Sequence, residues 1–149
     1  MIQQVVAEGV KPNRYVEVTQ VTDAELVKLL ASDSSVQRLE ASRRIIDGKK
    51  KDLAPAVLAL AQDESQHLYH RVAAVFTYKQ VLGKESTPGL VGLVKSAAVR
   101  EFALRALADR LSELEGVPTQ PFVDALTRGN WPMAPRIQIV PAIGKYATR

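Results

Sequence analysis

Asp63, His67 and His70 stand at i, i+4 and i+7, the spacing that gathers side chains on one face of a helix. Two imidazoles and a carboxylate form a ligand set suited to a divalent cation. The bland reading is the stronger one. Asp63 falls in a turn, and histidines this close to a helix start serve as caps or face water, so no metal site is assigned. Elsewhere there is no Gly-rich phosphate loop, no Ser-His-Asp order and no paired-carboxylate signature. The absence of cysteine removes disulfides, thiolate chemistry, Cys-based zinc sites and covalent haem attachment. No catalytic residue and no cofactor are therefore assigned.

Arginine is the residue with a pattern. Arg38, Arg71, Arg100 and Arg136 are separated by 33, 29 and 36 residues, and each precedes small or branched apolar residues at helical spacing. Self-similarity at about 30–45 residues marks a stacked helical repeat. Their expected role is structural: pairing with turn acids such as Asp33 and Asp63, or with the carbonyl ends of helices. The remaining cations of the same helices, Arg43, Arg44, Lys79, Arg105, Arg110 and Lys145, are the candidate partner-binding residues.

The elements that must position these residues are helices. Hydrophobic residues make up 46% of the 149-residue chain and aromatics only 5%, a balance that favours helices packed through small side chains over a β-sandwich. Residues 1–21 are expected to form an extended arm or small hairpin, because Tyr15–Val21 alternates like a strand, Ile2–Val6 reads as another, and Lys11-Pro12-Asn13-Arg14 is turn chemistry. From Thr22, a capping-box start, residues 22–149 divide into four helix pairs. The expected first helices are 23–31, 52–62, 87–95 and 119–128, and the second are 36–46, 66–82, 97–114 and 133–146. Gly83 is read as a stop, Pro141 as a kink or an early end, and Trp131 as a packing residue. Lys49-Lys50-Lys51 is read as a solvated loop. Turns this short place successive helices antiparallel and adjacent.

Asp33 ahead of Val36-Gln37-Arg38, and Val99-Arg100 followed by Ala103, Ala106 and Leu107, resemble the HEAT-repeat pattern over residues 22–146. In that family an Asp at the turn within a pair and an Arg opening the second helix recur. The ladder is incomplete here, since the third repeat has Ser96 and the fourth Asn130 in place of the Asp. The resemblance implies an all-α, right-handed α-α superhelix of about four pairs, with the second helices lining its concave face. In the second helices, taken to residue 110, ten basic and three acidic residues leave +7, against −1 for the first helices. A mildly basic groove for an acidic protein partner is the implied site, favoured over a nucleic-acid groove because aromatics are few.

The segments 25–46, 58–77 and 99–111 also look like the helical part of large bacterial multidomain proteins related to sugar dehydrogenases. There a β-propeller precedes the helices and a haem-binding domain follows. That likeness implies a spacer role and transfers no catalytic residue. A HEAT-like DNA glycosylase is the third reading, and it requires a groove carboxylate flanked by aromatics. The favoured expectation is a non-catalytic scaffold or protein-interaction module. It is expected to lack a signal peptide and a membrane span, and to be part of a longer protein or to bury its apolar last pair against a partner or a second copy.

Overall fold

Thr22 opens the first helix as its spacing to Glu25 predicts. The Glu25 amide donates to Thr22 Oγ1 at 3.4 Å and the Thr22 amide donates to Glu25 Oε2 at 2.7 Å, the reciprocal pair of a capping box. Asp23–Leu29 follows as α1. The computed structural model describes Gly9, residues 17–127, 133, 137 and 139–147. Ser34 caps α2, Ser35–Asp47, by accepting from the Gln37 amide. The chain continues as α3 (Ala54–Gln62), α4 (Leu68–Leu82), α5 (Thr87–Leu93), α6 (Arg100–Leu107), α7 (Gln120–Thr127) and α8 (Ile139–Ala147). Among the described residues there is no strand, so the fold there is all-α.

Three local expectations need correction. Val18–Gln20 is a 3-10 turn, not part of a strand. Val18 is tucked into the core. Residues 1–8 and 10–16 of the arm, including Ile2–Val6 and Tyr15, lie outside the described residues, as do Trp131 and Arg136. The helix expected over 97–114 is only α6. Arg110 is extended (φ −120°, ψ 130°), and a 3-10 turn at Leu111–Glu113 brings the chain back over α4 and buries Leu114. Finally, Pro141 is the third residue of α8 and the helix continues to Ala147, so the expected early end does not occur there. In a first turn the N–H groups have no acceptor within the helix, so the missing donor of the proline costs α8 no bond.

Each odd-numbered helix packs on the even-numbered helix that follows it. The even-numbered helices also pack in order, α2 on α4, α4 on α6 and α6 on α8, with α3 on α5 on the other side. Ala41, Ala74 and Ala103 each lie three residues after a repeat arginine and are fully buried. A methyl at that place lets neighbouring helices approach closely. Ala106, Leu107, Leu26, Val57 and Phe122 are buried as well, whereas Leu29, Leu60 and Val91 are only half-buried.

Side-chain links between neighbouring pairs recur at a similar separation. Ser42 Oγ and Thr77 Oγ1 share a hydrogen bond across 35 residues, Lys51 Nζ reaches Glu85 across 34, and Lys84 Nζ reaches Glu115 across 31. The lysine run thus partly ties turns together, since Lys50 Nζ also lies 2.7 Å from Asp23 Oδ1. Exposed pairs of this kind contribute little energy each. Their information is in the register.

Candidate functional site

The repeat arginines share one job in the three places described. Each opens a second helix and donates to carbonyls at the end of the first helix of its own pair. Arg38 Nη1 donates to Ser32 O at 2.6 Å, Arg71 Nε to Ala61 O at 3.0 Å, and Arg100 Nε to Val94 O at 2.9 Å. A helix end leaves carbonyls without partners and carries negative dipole charge, so a guanidinium answers both needs. The turn acids are used differently. Asp33 accepts from the Tyr69 hydroxyl at 3.0 Å, and Asp63 accepts from the Ser65 amide and hydroxyl and from Gln66 Nε2.

The six candidate cations do not form one continuous patch. Lys79 is 2% exposed and pairs with Glu113 Oε2 at 2.7 Å, so it serves packing and not an outward face. Arg110 converges on the same carboxylate, Nη1 to Oε1 at 3.2 Å, and its Nη2 donates to Gln80. The bond from Lys79 first, then the charges of Lys79 and Arg110, hold the Glu113 carboxyl below its ordinary range. Lys145 Nζ donates to the carbonyls of Ala108 and Asp109 and so caps the end of α6. Sequence spacing places Glu113 at the end of a long helix, and nothing local marks it as the partner of Lys79. Its only signal is a spacing from Lys79 that matches the repeat.

Arg43, Arg44 and Arg105 remain exposed. Arg43 lies 3.4 Å from Glu40 in a pair open to water. Arg43, Phe76 and Arg105 share a register, each five residues after its repeat arginine. The Arg105 guanidinium sits 5.9 Å from the centre of the Phe76 ring, within reach of a cation–π contact. Leu39, Val72 and Glu101 hold the position four residues earlier; Leu39 is 58% exposed, and Val72 and Glu101 are half-buried. The row is therefore mixed, basic and apolar with one acid in α6. Arg105 and Lys145 also line one cleft of about 340 Å³ between α6 and α8, with Asp109 at its edge.

The histidines fall into a different cluster. His70 is buried, its Nε2 3.7 Å from Asp33 Oδ1, and its ring meets Tyr69 edge-on at 4.4 Å. His67 is exposed and stacks on Tyr69 at 5.3 Å. Among the described residues no three acidic or imidazole side chains gather as a metal site. No helix among them is long and apolar enough to cross a membrane.

Comparison with known proteins returns no significant match to a family model, a curated protein or a solved structure.

Proposed function

We propose that the chain is a non-catalytic scaffold, a HEAT-like right-handed stack of helix pairs whose second helices present a binding face to an acidic protein segment. The recurring arginine-to-carbonyl bonds and the links near one repeat length support the stacked reading, because a solenoid repeats its contacts from unit to unit. The binding reading rests on one observation: Arg43, Phe76 and Arg105 occupy the same register on three successive second helices. Arginine and aromatic side chains together make good anchors for a partner. Leu39 and Val72 add apolar area between the charges, which suits an amphipathic segment with carboxylates along one edge.

Fluorescence anisotropy with a labelled Glu- and Leu-rich amphipathic peptide tests this. Binding is expected to weaken as salt rises and to be lost in the R43E/R105E double variant. Equal binding by that variant overturns the proposal, and so does tighter binding to duplex DNA.

A further inference from the structure

His70 occupies an unusual place. Its side chain is 5% exposed, yet neither ring nitrogen has a partner within good hydrogen-bond geometry. It lies where the turn between α1 and α2 meets the start of α4. Asp33 faces it from that turn, Arg38 from α2, and His67 and Tyr69 from the beginning of α4 itself. The nearest anion, Asp33, is 77% exposed at its side chain and already accepts the Tyr69 hydroxyl. Arg38 lies over the Tyr69 ring, 4.6 Å from its centre. The slot is thus built around a neutral imidazole, with the Arg38 guanidinium, the His67 ring, the Ser32 backbone and one shared carboxylate close by.

We propose that His70 is the proton-sensitive element of a latch between the first helix pair and α4, closed while the ring is neutral and released in acid. Burial first, then the Arg38 charge, holds His70 below the usual value of 6.5, and Asp33 and the Ser32 backbone oppose this only in part. A histidine whose folded value lies below its unfolded value contributes stability above the unfolded value and loses it as pH falls toward the folded one. The latch therefore opens below about pH 6.5, the ordinary histidine range. A proton on the ring sets a second positive charge beside Arg38 in a site with little water. Two weak attachments make this the point that yields. The first turn of α4 has no side-chain cap from His67, and Asp33 and Tyr69 hold each other by one exposed bond. Below the latch, Arg71 still ties α4 to Ala61 and Ser96, so the second and third pairs stay joined when the first loosens.

Hydrogen exchange of the intact chain between pH 8 and pH 5, corrected for intrinsic chemical rates, reads the latch directly. Amides of residues 35–47 and 68–72 are expected to lose protection as pH falls, while those of 100–107 keep theirs. In H70F, whose ring has similar size and no proton to take, the loss is expected to vanish; in H67Q it is expected to persist. A flat wild-type profile overturns the proposal, as does the same loss of protection in H70F. If H70F does not fold, NMR titration of the wild-type ring decides. Titration below 6.5, with coupled shifts at the Ser32, Asp33 and Tyr69 amides, supports the latch, and titration at or above 6.5 overturns it.

Discussion

Arg71 donates through Nε to the Ala61 carbonyl at 3.0 Å, from the first turn of α4 to the last turn of α3, and is 3% exposed while doing so. Its Nη2 continues to Ser96 Oγ at 2.9 Å, in the turn of the next pair. One side chain thus joins the two helices of its own pair and reaches the neighbouring pair. Ser96 accepts through its hydroxyl in the turn between α5 and α6.

Arg71→Ala is expected to cost about 2–3 kcal/mol, since a charged hydrogen bond is lost and buried acceptors are left bare. Arg71→Lys is expected to recover only part of this, because an ammonium lacks the fork that reaches both acceptors. Urea denaturation checks both. A loss for Arg71→Ala as small as that of an ordinary surface substitution counts against the assignment.

Two glycines of α5 are expected to respond in opposite directions. A Cβ on Gly89 would lie 2.5 Å from the hydroxyl of buried Tyr78, so Gly89→Ala is expected to cost about 1–3 kcal/mol through overpacking. A Cβ on Gly92 meets nothing within 4 Å. Gly92→Ala is expected to stabilise by up to about 1 kcal/mol, the helix-propensity difference. Thermal melts of the two variants side by side provide the check.

Glu113 gives stability a defined acid dependence. Its carboxyl is held below the usual 4.5 by Lys79 and Arg110, so the pair's contribution is present above that value and is lost as pH falls through the folded one. Glu113→Gln is expected to flatten this acid limb and to cost about 3 kcal/mol at neutral pH, because it leaves the buried Lys79 ammonium unpaired. The double variant K79M/E113Q is expected to be more stable than E113Q alone. Denaturation midpoints measured from pH 7 to pH 3 distinguish these outcomes.

The last pair exposes Val123, Leu126, Val140 and Ile143, with Val140 at 71%. Self-association through this face is expected, and the V140D/I143D variant is expected to run as the smaller species. Light scattering across a concentration series tests this, and unchanged mass in both proteins rules it out.

The chain's own residues determined the local grammar. Thr22 and Glu25 cap a helix wherever that helix sits, because both partners lie within one turn. Gly83 ends α4 with φ +57°, a conformation that only glycine adopts cheaply. Arg38, Arg71 and Arg100 could likewise be read, since each meets carbonyls no more than ten residues back. The ends of α6, and the fates of Lys79, Arg110 and Lys145, were decided by the tertiary structure. Their partners lie about one repeat away, so a surface cation and a buried ion pair look alike along the chain. His70 belongs with them. Only the approach of the α1–α2 turn to α4 removes its water and sets Asp33 and Arg38 beside it, and desolvation has no signature in linear spacing.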